Sequence, residues 1–363
     1  MKTSPDYEQY MRRALALAKQ GLGHTSPNPM VGAVLVKHGR IIGKGYHQKA
    51  GEDHAEIAAL KNCSSSTKRA VLYVTLEPCC HYGRTPPCVD SIIASGISKV
   101  VIATKDPNPL VSGRGIAALK KAGISVKVGI LQQEAEELNK IFFKYITTGK
   151  PYIYLKAALT LDGKIATRIS ESKWISGEEA RAFVHQKRKE VDAILVGKNT
   201  LLNDNPHLTA RVGRSTSFPK RIILGTEEDV PKNLHIFHQK GKNIFMAGKD
   251  LTKILDDLGK QEITSILVEG GSSVFSYFIK EGLVDEYYFF IAPKLLGDEQ
   301  AIPFFKGQNT TSLKHAFTIR FTSVEMAGKD VLITARNKTI SRKKEKSRSQ
   351  QGDRKEYREI WSH

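Results

Sequence analysis

The stretch His54-Ala55-Glu56, followed after a gap by Leu76-Glu77-Pro78-Cys79-Cys80-His81-Tyr82-Gly83-Arg84-Thr85-Pro86-Pro87-Cys88, decides how the chain is read. One imidazole and two thiolates can supply three ligands to a zinc ion. Three protein ligands leave the fourth tetrahedral position to water, which is the arrangement of a catalytic rather than a structural metal. Zinc lowers the pKa of a bound water to about 7, so hydrolysis becomes accessible at neutral pH. Glu56 is not needed as a ligand; two residues beyond His54, it is placed to carry protons between that water and a leaving amine. The bland alternative is a satisfied core histidine with buried apolar cysteines. It suits any one of these residues, but not all of them in this order.

His-x-Glu followed by Pro-Cys-x-x-Cys marks the zinc deaminases. Here eight residues, Cys80 to Pro87, separate Cys79 from the last cysteine. That insert would form a loop beside the metal. Pro86 and Pro87 suit the entry to a helix. Cys88 would then stand at a helix N-terminus, where the dipole favours a thiolate. Cys80, next to Cys79, is a rival thiol for the metal.

The chain has 363 residues, enough for two or three domains, and 40% hydrophobic residues suffice for ordinary cores. Four cysteines, two of them adjacent, do not make a disulfide framework. No apolar leader follows the basic start and no run of about 18 apolar residues occurs, so a soluble cytoplasmic protein is expected. The net charge is +19, of which the 26 residues from Lys338 carry +5. Basic surface suits nucleic acid or small phosphorylated substrates, and composition does not choose between them.

Apolar spacing predicts a helix over Asp6–Lys19. A Gly/Pro/Asn loop follows, then strands Val31–Val36 and Ile41–Tyr46 around a His38-Gly39 turn. A helix is expected over His54–Lys61, a strand over Val71–Thr75 and a helix over Val89–Ala94. Strand Lys99–Ala103, helix Gly115–Lys121, strand Ser125–Val128 and helix Glu134–Tyr145 complete a three-layer α/β domain over residues 1–148. A second α/β domain, 149–337, has expected strands at Tyr152–Ala158, Ala193–Gly197, Arg221–Leu224, Asn243–Ala247, Thr264–Val268, Glu286–Ala292 and Asp330–Thr334. Its expected helices are Gly177–Lys189, with Ser176 as N-cap, and Val274–Lys280. Residues 338–363 read as a polar, disordered tail, with a nucleic-acid arm as the functional alternative.

Thr264–Val268 runs into Glu269-Gly270-Gly271-Ser272-Ser273 and then a helix, which gathers N–H groups that could hold a phosphate. Gly-Gly alone is as often a plain turn. It has company in Leu161-Asp162-Gly163-Lys164, Ser172-Lys173-Trp174-Ile175, Gly197-Lys198-Asn199-Thr200 and Asn203-Asp204-Asn205-Pro206. These lie at or after strand ends, where open α/β sheets gather their ligands.

Beyond these, Ser26-Pro27-Asn28-Pro29-Met30-Val31-Gly32, Asp106-Pro107-Asn108-Pro109 with Gly113-Arg114-Gly115, Thr160-Leu161-Asp162-Gly163 and Leu208-Thr209-Ala210-Arg211 carry a family resemblance. Over residues 5 to 335 the chain resembles the bifunctional riboflavin-biosynthesis enzymes, a diaminohydroxyphosphoribosylaminopyrimidine deaminase fused to a 5-amino-6-(5-phosphoribosylamino)uracil reductase. The eight-residue insert is that family's own pattern. The resemblance implies a cytidine-deaminase-like domain followed by a dihydrofolate-reductase-like domain. It implies zinc on His54, Cys79 and Cys88, with Glu56 as proton shuttle. Asn28, His81, Arg84, Asp106, Asn108 and Ser112 would bind the deaminase substrate. NADPH would lie against Ala158, Trp174, Thr200, Asp204 and the run Gly271, Ser272, Ser273, Val274, Phe275, Ser276 and Tyr277. The reductase substrate would meet Ser172, Arg188, Leu208, Arg211 and Glu269, with the Arg188 and Arg211 forks suited to phosphate. Cys80 stands where the family commonly has a small polar residue, and the tail has no counterpart there. Such fused enzymes often self-associate, so a homo-oligomer is compatible.

Two rival readings are a deaminase acting on bases in RNA or DNA, anchored by the tail, and a non-catalytic zinc module that binds nucleic acid. The first class uses Pro-Cys-x-x-Cys, absent here. The second has no use for Glu56 and fills the fourth metal position with a side chain.

Overall fold

The computed structural model describes residues 7–81, 86–248, 250–307 and 310–337. Arg84 and the tail from Lys338 lie outside the described residues. The chain divides into two compact units between Thr147 and Thr148.

The first unit holds strands β1 (Gly32–Lys37), β2 (Arg40–Tyr46), β3 (Val71–Leu76), β4 (Lys99–Thr104) and β5 (Ser125–Val128). Its helices are α1 (Tyr7–Ala18), α2 (Ala55–Lys61), α3 (Cys88–Ala94), α4 (Arg114–Lys121), α5 (Gln132–Leu138) and α6 (Lys140–Thr148), the last crossing the division. The sheet order is β2-β1-β3-β4-β5, antiparallel as far as β3 and parallel beyond it. His38 and Gly39 both take positive φ, the tight turn that matches strand twist.

Period-two alternation divides the strand residues between two layers. Ala33, Leu35, Leu72, Val74, Val100 and Ile102 pack with Ala55, Ala59, Val89, Ile92, Ile116, Leu119 and Phe142. The intervening Val34, Val36, Tyr73, Val101 and Ala103 pack with Met11, Ala14, Leu15 and Ala135. Helices therefore cover both faces, the three-layer arrangement expected.

The helix expected over Glu134–Tyr145 is two helices, α5 and α6, broken at Asn139. The buried Asn139 side chain accepts from Met30 N–H at 2.8 Å and donates to Met30 C=O at 2.9 Å. Tertiary bonds to a distant loop thus override a helical apolar pattern.

The second unit contains β6 (Tyr152–Thr160), β7 (Lys164–Ala166), α7 (Glu178–Glu190), β8 (Ala193–Gly197), α8 (Lys198–Asp204), β9 (Ala210–Val212), β10 (Ser215–Ser217) and β11 (Lys220–Leu224). After these come β12 (Asn243–Met246), α9 (Leu251–Lys260), β13 (Ser265–Val268), α10 (Ser272–Lys280), β14 (Glu286–Ala292), β15 (Ile302–Pro303), β16 (Ile319–Ala327) and β17 (Asp330–Asn337). The main sheet runs β12-β11-β8-β13-β6-β14-β17-β16. Its first six strands are parallel and the last two pairings antiparallel. Leu251, Ile254, Leu255 and Leu258 of α9 and Phe275 and Phe278 of α10 bury one face. On α7, Phe183 packs edge-on against Tyr288 and Phe290.

Helices α8 and α9 and strands β7, β9, β10, β15 and β16 have no counterpart among the expected elements. The N-cap of α7 is Gly177, without a side-chain cap bond, rather than Ser176. Its N–H is satisfied from afar, donating to the buried Asp330 at 2.6 Å.

Candidate active sites

Three elements place the first constellation. Strand β3 delivers Glu77-Pro78-Cys79, α3 begins at Cys88 behind Pro87, and His54 is the N-cap of α2. Helix α2 lies directly on the β2 backbone: a Cβ at Gly45 would come within 2.4 Å of Ala59 N and 2.7 Å of Ala55 O. Glycine there is what lets His54 and Glu56 reach the site.

The ligand atoms of His54, Cys79 and Cys88 all lie within 4.8 Å of one another. His54 Nδ1 is 3.2 Å from Cys88 Sγ and 3.5 Å from Cys79 Sγ. Tetrahedral zinc holding N and S donors would separate them by roughly 3.6–3.8 Å. The donor set and its spacing therefore fit zinc. Cys80 is outside this set and burial pushes its thiol up. Cys79 is held down to about 4, first by the hydrogen bond from the Cys88 thiol, then by His54 and the Cys88 N–H. Cys88 is pushed up as the proton holder of that pair. Glu56 is 3% exposed, and burial, then the charge of Cys79, pushes its carboxyl up to about 7.

Around this set, Asn28 Nδ2 lies 3.1 Å from His47 Nε2, and His47 Nδ1 lies 3.1 Å from Asp53 C=O. His47 is buried, burial lowers its pKa, and its ring meets His54 edge-on at 5.4 Å. A neutral ring with Nδ1–H donating to Asp53 leaves Nε2 to accept from Asn28. The motifs gave no sign of His47, a single histidine after a strand. His81 Nδ1 is buried without a hydrogen-bond partner among the described residues.

Asp106 and Ser112 line a cavity of about 430 Å³ with Glu136 and Phe143; Asn108 and the metal set are not among its walls. Asn108 N–H donates to Asp106 Oδ1 at 2.8 Å, and Leu110 N–H to Asn108 Oδ1 at 3.0 Å. Burial pushes the Asp106 carboxyl up to about 7.

The second unit holds a cavity of about 1420 Å³ at the C-terminal ends of its parallel strands. Its walls include Ala158, Ser172, Trp174, Arg188, Thr200, Asp204, Leu208, Arg211, Glu269 and Gly271 to Phe275. Ser276 and Tyr277 stand outside the wall; the Ser276 hydroxyl instead accepts from Lys306 N–H at 2.9 Å. The cavity exceeds the ordinary small-ligand range of about 300–1,000 Å³, leaving room for a dinucleotide and a second molecule. At the N-terminus of α10, the buried Ser272 Oγ has no partner among the described residues. An unpaired hydroxyl beside free helix N–H groups fits a phosphate of the cofactor.

Arg188 does not present an open fork. Its Nε and Nη2 donate to Glu269 at 2.6 and 2.9 Å and its Nη1 to Thr209 C=O at 3.0 Å. Arg211 Nη2 lies 3.1 Å from His185 Nε2, and His185 Nδ1 lies 3.2 Å from Thr209 C=O. Burial, then Arg188 and Arg211, lowers the His185 pKa, as befits a neutral ring whose Nε2 accepts from Arg211. Lys156 is also in the wall, with its pKa lowered by burial. Burial would raise Glu269, but Arg188 and Lys156 outweigh it and hold the carboxylate below its usual value. Lys156 and His185 lie inside a strand and a helix that bear no motif, which is why the pattern missed them.

A hydrolytic zinc deaminase joined to a dinucleotide-dependent reductase is the class that these two sites define. Residues 4–104 match the cytidine and deoxycytidylate deaminase zinc-binding region, and residues 151–333 match the RibD C-terminal domain. The riboflavin biosynthesis protein RibD of Aquifex aeolicus is 45% identical over 90% of this chain and 97% of its own length. That of Escherichia coli is 40% identical, covering 90% and 98%. The structure of Acinetobacter baumannii RibD superposes with a TM-score of 0.86 at 36% identity, over 92% of this chain and 99% of that one. A diaminohydroxyphosphoribosylaminopyrimidine deaminase/5-amino-6-(5-phosphoribosylamino)uracil reductase from Thermotoga maritima gives 0.84 at 38% identity, with the same coverage. The chain belongs to the RibD family of riboflavin biosynthesis. It is a bifunctional deaminase and reductase that uses Zn2+ and NADPH, with a cytidine-deaminase-like fold followed by a dihydrofolate-reductase-like one.

Proposed function

We propose that residues 1–148 replace the ring amine of diaminohydroxyphosphoribosylaminopyrimidine with oxygen, consuming water and releasing ammonia. Residues 149–337 then reduce the ribose of 5-amino-6-(5-phosphoribosylamino)uracil to its ribityl form. The observation that carries this reading is the His54, Cys79 and Cys88 set with buried Glu56 beside it, on the same chain as a dinucleotide-sized cleft.

His54, Cys79 and Cys88 would hold zinc, which would supply a water activated at neutral pH. Glu56, buried beside that set, would carry a proton between the water and the departing amine. Asn28, His81, Arg84, Asp106, Asn108 and Ser112 are assigned to the pyrimidine and its phosphate. In the second unit NADPH supplies the hydride, and the protein supplies position and charge. Ala158, Trp174, Thr200, Asp204 and Gly271 to Tyr277 are assigned to the cofactor, and along that run the cavity wall ends at Phe275. Ser172, Leu208, Arg211 and Glu269 face the substrate; Arg188 aligns Glu269, and Arg211 takes the phosphate. Lys156, in the cavity wall with an ammonium destabilised by burial, would give up the proton that accompanies the hydride.

The positive charge serves phosphorylated ligands rather than nucleic acid. Four free cysteines, two of them zinc ligands, suit the reducing cytoplasm. Among the described residues no helix is long and apolar enough to cross a membrane. The test is turnover of the diaminopyrimidine by purified protein, with and without NADPH. Ammonia release in both cases, with the ribityl product only when NADPH is present, supports the reading; no ammonia release overturns it.

A further inference from the structure

Glu77 follows β3, two residues before Cys79, and takes no part in the metal set. It is 3% exposed, and a carboxylate removed from water needs its lone pairs filled. Three backbone N–H groups fill them. Asp106 and Gly113 donate to Oε2 at 3.3 and 3.0 Å, and Ile116 donates to Oε1 at 3.1 Å. The Glu77 N–H itself donates to Thr104 C=O at 3.0 Å. Gly113 is the N-cap of α4 and Ile116 lies in its first turn, so the carboxylate also meets the positive end of that helix. Gly115 permits the approach: a Cβ there would lie 2.2 Å from Pro78 O and 3.3 Å from Glu77 Oε1. The segment pinned between Asp106 N–H and Gly113 N–H is the one that carries Asp106, Asn108 and Ser112.

We propose that Glu77 is a positioning residue for deamination: its carboxylate ties the segment assigned to substrate binding to the strand end that carries the ligand Cys79. The distance between the bound pyrimidine and the metal is then set by one side chain. This rests on the assignment of Asp106, Asn108 and Ser112 to the substrate. Glutamine at 77 keeps the size but offers one acceptor oxygen to donors that approach from two sides. Its NH2 group faces an N–H where the carboxylate had an acceptor.

The test uses the full-length zinc enzyme with Glu77→Gln, Gly115→Ala and Asn108→Ala. Zinc content, KM and kcat for ammonia release, and NADPH-dependent reduction as an internal control are measured on each. Losing charge-assisted bonds of this kind predicts a rise in deaminase KM of about ten- to a hundredfold for Glu77→Gln. The change in kcat should be smaller, with zinc and reduction intact. Gly115→Ala, which displaces the same joint from the other side, should also raise KM. If Glu77→Gln leaves KM unchanged while Asn108→Ala raises it, the role of Glu77 is overturned and the substrate assignment stands. Unchanged KM in both overturns the assignment and the proposal with it. Loss of zinc with kcat falling as far as kcat/KM shows a residue that only maintains the fold, and also overturns the proposal.

Discussion

Glu56 shows how burial alters a carboxyl, and so suits the acid-base role proposed for it. Its neighbour in sequence, His54, faces the thiols, while the Glu56 carboxyl is buried and pushed up to about 7. Replacing it with Gln keeps the shape and removes the proton carrier. Glu56→Gln should therefore retain zinc and lose about 10²–10⁴-fold in ammonia release; near-normal turnover would refute its assignment. Asp106 offers a test in pH. Burial raises its carboxyl from the ordinary range to about 7, with the charge of Glu77 adding to the shift. A carboxyl raised by folding binds its proton more tightly in the folded state. Its contribution to stability is thus complete below the unfolded pKa and is lost as pH rises toward about 7. Asp106→Asn should flatten that loss. Melting of the zinc enzyme between about pH 5 and about pH 7 checks it, and curves of equal slope for both proteins would contradict it.

At the scale of elements, loops that serve the first site are held by side chains from helices and strands far away in sequence. Asn139 clasps both backbone groups of Met30, two residues beyond Asn28. Asn139→Ala should cost about 1–3 kcal/mol of stability in the first unit and raise deaminase KM, with reduction unchanged. Calorimetry beside the two assays would show it, and a parallel loss of reduction would count against it. The same bonds explain why a helix over 134–145 was only half legible: the apolar spacing is helical, but the break comes from a partner more than a hundred residues away. Helix α9 is different. Leu251, Ile254, Leu255 and Leu258 with an Asp250 N-cap spell a helix in the sequence itself. The sequence reading nevertheless assigns no element between Ala247 and Thr264. Strand β16 shows mostly exposed residues, so period two had no buried face to register.

For the molecule as a whole, the metal set was legible because its ligands sit in two short motifs whose chemistry tolerates few alternatives. The reductase cleft was legible only as a group of polar strand ends. Its Arg188–Glu269 pair, Lys156 and His185 are brought together by helix α7 and the strands β6 and β13, and no spacing in the sequence announces them. All but two of the residues expected at the cofactor and at the second substrate nevertheless line one cavity. Each site draws its residues from one side of the division at Thr147, and hydride transfer requires no metal. Protein stripped of zinc should therefore still oxidise NADPH with pre-deaminated substrate. The most direct measurement is the paired release of ammonia and oxidation of NADPH by the zinc-loaded Glu56→Gln protein. It should do neither with the diaminopyrimidine, yet oxidise NADPH at the wild-type rate with the deaminated compound. Loss of NADPH oxidation with the deaminated compound, in protein that remains folded, would contradict two separate sites acting in sequence.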